Sequence, residues 1–311
     1  MILKVLGSAA GGGFPQWNCS CNNCAGVRNG TLRTEARAQT QIAFSPAPGA
    51  WVLVAASPDL RTQILAHREL WPSPVNPGRS PIVAVYLLSA DVDVVMGLLH
   101  LREFQSFAIF STGGVRRIAC EENSLFRILE RATPRVIWHE LSLGQTTSFC
   151  LPECQEASPV FRYTAISLGG RYPDYSDEVR HQSASADEAN AGLVIEQTGR
   201  KIFIAPSLSG ESSTWREHAV SADVALVDGT FWSDKELVAT GRTQKTARDM
   251  GHLPLSGSDG LLARYPQEAR GRKILIHINN TNPILDENSV EHKAVLEAGF
   301  EIAYDGLTIE L

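Results

Sequence analysis

The sequence predicts an α/β chain built from two facing mixed β-sheets, with helices on the outer sides. Three observations carry this. The two halves of the chain repeat one order of elements, hairpin strands followed by an apolar strand and a helix. Residues 82–88 and 224–227 are apolar without alternation, as strands buried on both faces are. Polar residues follow both runs directly, where layered α/β proteins place their sites. At 311 residues the chain is long enough for a large core and is read as one domain over 1–311. Hydrophobic content of 43% and charged content of 20% describe a globular protein. A net charge of −6 and the lack of any Lys/Arg run exclude a nucleic-acid footprint. No apolar run reaches the length of a membrane span, and the glycine-rich start does not read as a secretory signal. A cytoplasmic location with reduced thiols is expected.

Residues 2–6 form the first strand and lead into 7–24, GSAAGGGFPQWNCSCNNC. Gly7, Gly11, Gly12 and Gly13 let the backbone take positive φ and approach a bound group closely. Cys19, Cys21 and Cys24 then form a C-x-C-x-x-C cluster, too tight for comfortable disulfides and suited to three corners of a structural Zn²⁺ site. The fourth ligand must come from elsewhere in the chain. Cys120, Cys150 and Cys154 read as core or surface thiols, the spacing of the last two leaving a second half-site as an alternative.

Residues 39–44 alternate and read as a strand, 46–49 as a turn, and 51–55 as the returning strand of a hairpin. Ser57, Pro58 and Asp59 suit the start of a helix. A proline-rich connector over 71–81 precedes the buried strand 82–88, whose tip carries Asp91 and Asp93. That pair suits either a site or the cap of the helix that follows. Short strands are expected at 108–110, 136–138 and 160–166. Residues 169–187 read as a long surface loop of the kind that covers a pocket, with His181 a solvated loop residue.

Residues 192–196 and 201–205 form a hairpin around Thr198-Gly199. The strand 224–227 ends in Asp228-Gly229-Thr230, 234–240 reads as helical, and His252 follows Gly251. The strand 273–276 delivers His277 and then Asn279-Asn280-Thr281-Asn282-Pro283. A helix over 289–298 and strands near Glu301 and Leu307 close the chain. If the two sheets face each other, Asp91, Asp93, Asp228, His252 and His277 meet at one edge, and imidazoles with carboxylates suit a divalent first-row metal. Taken singly, each histidine reads as an ordinary hydrogen-bonded residue; the argument lies in their joint placement.

The N-terminal motif, SPDLR at 57–61, VDGTFW at 227–232, MGH at 250–252 and HINNTNPILDE at 277–287 together resemble the pyrroloquinoline quinone (PQQ) biosynthesis protein B family nearly end to end. That resemblance implies the αββα sandwich of the metallo-β-lactamase superfamily. It also implies a cysteine-bound zinc like that of a related phosphodiesterase of phosphonate metabolism. The superfamily motif H-x-H-x-D-H falls on Ser89, Asp91, Asp93 and Val94, so that only the aspartate of the motif matches. Asp228 falls on the superfamily's bridging carboxylate, His277 on its last histidine, and His252 on a family histidine of the same cleft.

The resemblance implies an Fe²⁺- and oxygen-dependent hydroxylase, acting on the tyrosine ring of a Glu–Tyr precursor cut from the PQQ precursor peptide. Asp93, Asp228, His252 and His277 are its expected catalytic residues. Two competing expectations are a carrier of PQQ or its precursor with a decayed metal site, and a metal-dependent hydrolase. Val94 weakens the first reading, favours the carrier and opposes a two-zinc hydrolase. Arg61, Arg102 and Arg242 are candidates for binding substrate carboxylates. No nucleic-acid or membrane partner is expected, and a homodimer is compatible with the sequence.

Overall fold

The computed structural model describes residues 1–130, 136–150, 161–176, 185–210 and 213–311. Its strands are β1 (Ile2–Gly7), β2 (Gln41–Ala47), β3 (Ala50–Val54), β4 (Ile82–Leu87), β5 (Ala108–Ser111), β6 (Ile137–Glu140), β7 (Thr146–Phe149), β8 (Phe161–Ser167), β9 (Ala191–Gln197), β10 (Arg200–Ala205), β11 (Val224–Asp228), β12 (Arg272–Ile276), β13 (Glu301–Ile302) and β14 (Thr308–Glu310). They form two seven-stranded sheets, in the orders β14-β1-β2-β3-β4-β5-β6 and β13-β12-β11-β10-β9-β8-β7.

Both sheets share one pairing pattern. In the first, β14, β1, β2 and β3 pair antiparallel, then β3, β4, β5 and β6 pair parallel. In the second, β7 to β10 pair antiparallel, then β10 to β13 pair parallel. Tight turns suffice for the antiparallel part, whereas each parallel step needs a crossover that lays helical segments on the outer face. The hairpin β9–β10 turns through Thr198 at φ 51° and Gly199 at φ 79°, the double positive φ of a turn whose twist matches the strands.

Three apolar layers follow from this arrangement. Between the sheets lie Leu3, Phe44, Tyr86, Phe161, Ile204 and Leu226. Leu60, Val85, Leu98, Val115 and Ile118 pack the first sheet against its outer segments. Phe203, Trp215, Leu261, Tyr265 and Val295 do so for the second sheet, and Cys19 and Cys24 belong to that layer. Two sheets with helices outside, the expected fold class, is what the chain adopts.

Several local expectations are corrected. The helix expected to start at Ser57 runs over Leu60–Ala66, and neither Ser57 nor Asp59 caps it through its side chain. Ser57 Oγ instead donates to Gln63 Oε1 (2.8 Å), and Asp59 Oδ2 accepts from Gln39 N (2.9 Å). Residues 234–240 are not a helix but turns closed by a single 3₁₀ turn at Val238–Thr240. Asp234 explains this, because its carbonyl accepts from Ala247 N (2.8 Å) and its carboxylate from Arg248 N (3.1 Å). The helices Gly113–Arg117 and Trp215–Ser221 and the strand β7 had no sequence expectation. His181, Cys154 and Val160 lie outside the described residues.

Candidate metal centre

The C-terminal tips of the parallel strands open onto one pocket of about 460 Å³. After β4 the chain turns tightly, with Ser89 Oγ donating to Asp91 Oδ2 (2.7 Å) and Val94 N to Asp91 O (2.9 Å). Asp93 and Val94 both line the pocket from that turn. β11 ends on Asp228, which is completely buried. Directly after β12, His277 takes φ 61°, a left-handed conformation costing about 1–3 kcal/mol in a residue with a side chain. It is held there because Ile278 N donates to Ser8 O (3.0 Å) and Ala10 N to Ile278 O (2.9 Å). His252 arrives from the other side, one residue after Gly251 at φ 83° ends the 3₁₀ turn Arg248–Met250.

Potential ligand atoms of Asp228, His252 and His277 lie within 4.8 Å of one another. His252 Nδ1 is 2.9 Å from Asp228 Oδ2, and His277 Nε2 is 3.1 Å from Asp93 Oδ2. The two imidazoles stack with centroids 5.3 Å apart and an interplanar angle of 22°. Thr230 Oγ1 touches Asp228 Oδ1 (2.6 Å), His277 Nδ1 (2.8 Å) and His252 Nδ1 (3.1 Å). Asp91 also lines the pocket, outside this cluster.

Charge follows from this packing. Burial alone would raise the Asp228 carboxyl, but His252 and the hydrogen bonds from His252, Thr230 and Leu208 hold it below its usual value. For Asp93, burial is likewise outweighed by its contact with His277. Burial and the Asp93 charge push Asp91 up. Burial works against the protonated form of His277, yet Asp93, Asp228 and Asp91 together raise its pKa. Three carboxylates therefore face two imidazoles. The cations lining the pocket, Lys245 and Arg171, are drawn to Asp174 at 2.7 and 3.9 Å. These clustered imidazole and carboxylate donors fit a divalent first-row cation.

The second cluster is built by the N-terminal loop. Gly12 takes φ 92° and Gly13 φ 69°, and the loop leads to the helix Asn22–Asn29. The sulfurs of Cys19, Cys21 and Cys24 also lie within 4.8 Å of one another. The Asn280 amide projects onto all three, with its Nδ2 position 3.1, 3.7 and 3.3 Å from the respective sulfurs. Burial pushes the Cys24 thiol up to about 11, whereas Cys19 is lowered because hydrogen bonds at its sulfur outweigh its burial. The Asn280 amide N–H groups donate to the sulfurs, and the three clustered thiols suit three corners of a zinc site.

Four of the five expected metal-site residues, Asp91, Asp93, His252 and His277, thus line one pocket, and the fifth, Asp228, is fully buried against His252. Arg61, Arg102 and Arg242 are all exposed, and none lines the pocket. Arg102 Nη1 donates to Leu99 O (2.6 Å), and the same side chain pairs with Glu103 at 3.1 Å. Arg171 and Lys245 stand at the pocket instead, and Tyr172 and Asp174 of the expected covering loop line it as well. Thr230 and Asn280 had no sequence assignment. Their signal was proximity alone, two residues after Asp228 and three after His277.

The fold defines a protein of the β-lactamase superfamily type with two candidate metal clusters, and the family described as beta-lactamase superfamily domain matches residues 50–278. Coenzyme PQQ synthesis protein B of Pseudomonas protegens is 41% identical over the full length of both chains (100% of each), and that of Azotobacter vinelandii is 42% identical with the same coverage. The chain belongs to the coenzyme PQQ synthesis protein B family. The crystal structure of Zn²⁺-bound PqqB from Methylobacterium extorquens matches with a TM-score of 0.89 at 35% identity, covering 100% of both chains. A diphosphatase of the PhnP family, 16% identical with a TM-score of 0.61 over 100% of this chain and 97% of its own, shares the fold. Among the described residues, no helix is long and apolar enough to cross a membrane.

Proposed function

We propose that this chain is an iron- and dioxygen-dependent hydroxylase of PQQ biosynthesis, acting on the tyrosine ring of a Glu–Tyr compound derived from the precursor peptide. One observation carries the reading: the imidazoles of His252 and His277, which line one pocket, converge with the buried carboxylate of Asp228, their ligand atoms within 4.8 Å of one another. Fe(II) in such a two-histidine, one-carboxylate set supplies dioxygen activation when bound. A two-zinc hydrolase is disfavoured, because Ser89, Asp91 and Val94 replace the histidines a second ion would need. The chain's own residues bind and orient. Lys245 and Arg171 at the pocket offer cationic partners for the substrate's carboxylates, and Tyr172 beside them adds apolar surface for an aromatic ring. Cys19, Cys21 and Cys24 hold a structural zinc, with the Asn280 amide donating hydrogen bonds to their sulfurs.

The test is single-turnover oxidation. Protein loaded anaerobically with Fe(II), given the Glu–Tyr compound and ascorbate as reductant and then exposed to oxygen, yields product heavier by one oxygen atom. The second oxygen atom leaves as water. His277→Ala abolishes that product while the zinc of the cysteine cluster is retained. Val94 favours a second reading, a carrier without catalysis. Tight binding of the Glu–Tyr compound or of PQQ, with no oxygen inserted by the iron-loaded wild type, would establish the carrier and refute the hydroxylase.

A further inference from the structure

Asn279 lines the pocket, and the packing around it fixes which way its amide points. Its backbone is held at both ends: Asn279 N donates to Thr230 O (3.1 Å), and Asn282 N donates to Asn279 O (3.0 Å). The side chain is buried, and its Nδ2 donates to Thr281 Oγ1 at 2.6 Å. Thr281 Oγ1 in turn donates to Glu236 Oε1 at 2.5 Å.

Glu236 sets the direction of this relay. Trp232 N donates to its Oε2 at 2.7 Å, and Ser233 N and the Asn279 amide are further donors to it. Burial raises the Glu236 carboxyl, while these donors and Thr281 favour its charged form. An ionised carboxylate only accepts. Thr281 has a single hydroxyl hydrogen, and it goes to Glu236. Towards Asn279 the hydroxyl oxygen is therefore the acceptor, so the amide presents its nitrogen there. A flipped amide would set its carbonyl against an oxygen with no hydrogen left to give. The nitrogen end is thus engaged inside the protein, and the carbonyl Oδ1 is left as the acceptor for the pocket.

Its place suits a particular ligand. Thr230, whose carbonyl holds Asn279 N, touches both His252 and His277 through its hydroxyl. Asn279 is buried whereas Lys245 and Arg171 are exposed, so acceptor and cations line the pocket at different depths. A ligand with carboxylates at one end and an aromatic hydroxyl at the other matches that order. We propose that Asn279 Oδ1 selects a phenol beside the histidines by accepting the hydrogen bond of its hydroxyl, and that Thr281, held by Glu236, is the positioning residue for that amide. This rests on the reading that the ligand is a Glu–Tyr compound and adds the contact that tells it from a Glu–Phe counterpart. A counterpart without the hydroxyl leaves Oδ1 buried and unpaired, which lowers affinity by about 5- to 150-fold.

Calorimetric titration of the full chain with the two compounds tests it, under nitrogen and in mildly alkaline buffer, where Glu236 is ionised. The wild type should bind the Glu–Tyr compound more tightly than the Glu–Phe one, by about fivefold or more. Asn279→Ala should erase that preference, and so should Thr281→Val, which removes the hydroxyl and keeps the shape. Thr281→Ser keeps the hydroxyl and should keep the preference, an outcome that a merely structural role for Thr281 would not require of the ratio. An Asn279→Ala variant that weakens both compounds equally, or neither, overturns the proposal. A Thr281→Val variant with the wild-type ratio removes Thr281 from the positioning role. Equal binding of both compounds by the wild type refutes the selection by Asn279 and leaves the Glu–Tyr reading of the pocket standing. Wild-type protein that binds neither compound overturns both.

Discussion

Restoring the missing histidine through Val94→His is the most informative perturbation of this site. Val94 lines the pocket together with Asp93, His252 and His277. Its backbone is pinned on both sides, with Ala56 N donating to Val94 O (2.7 Å) and Val94 N to Asp91 O (2.9 Å). A new side chain therefore leaves the same backbone position, and a pocket of about 460 Å³ has room for an imidazole. Valine is half-buried against the apolar layer outside the first sheet. Losing that contact costs about 1 kcal/mol, half the 1.5–3 kcal/mol of a fully buried side chain of this kind. The metal-free variant should melt a few degrees lower at most. An added imidazole should tighten metal binding by about tenfold or more, equivalent to about 1.4 kcal/mol, by analogy with the 10–100-fold lost when even outer partners are removed. The assay is competition with a chelator for Fe(II) under nitrogen, beside thermal melts of both proteins without metal. A folded Val94→His variant with wild-type affinity would show that residue 94 does not reach the ion, and would sink the match of the superfamily motif to 89–94.

Two further outcomes concern the loop that carries the cysteines. Cys21→Ser should remove about one equivalent of zinc and lower the melting temperature, because metal binding contributes folding free energy; elemental analysis and calorimetry check both, and retained zinc with unchanged melting would refute the cluster. A Cβ at Gly11 would lie 3.3 Å from Asp93 Oδ2, so Gly11→Ala should displace that carboxylate by a few tenths of an ångström. Metal affinity at the histidine site should fall while zinc at the cysteines stays, as a chelator titration of each site would measure.

Much of the site was legible because short-range pattern reports it. Unbroken apolar runs at 82–88 and 224–227 mark strands buried on both faces, and a residue at the end of such a strand falls on the rim of the sheet whatever else the chain does. Asp91, Asp93, Asp228 and His277 were readable on that ground. The cysteine cluster was readable because its spacing is local. The arginines were not: Arg61, Arg102 and Arg242 lie near strand tips in sequence, but which long side chain enters the pocket depends on how loops fold back, and Arg171 and Lys245 do so instead. Secondary structure misled for the same reason at 234–240, where Asp234 bonds Ala247 and Arg248 in preference to a helical turn.

The sequence by itself determined the two facing sheets, the cysteine triad and the pool of carboxylates and histidines at the strand tips. Only the tertiary structure decided how that pool divides. The two sheets bring Asp93 onto His277, and β11 beside β12 brings Asp228 and Thr230 against both histidines. Asn280 likewise reaches the cysteine sulfurs across 256 residues or more of chain. Periodicity records which face of an element is buried. It carries no information about which acceptor stands opposite which donor, because that is fixed by three-dimensional closure between segments whose sequences are independent.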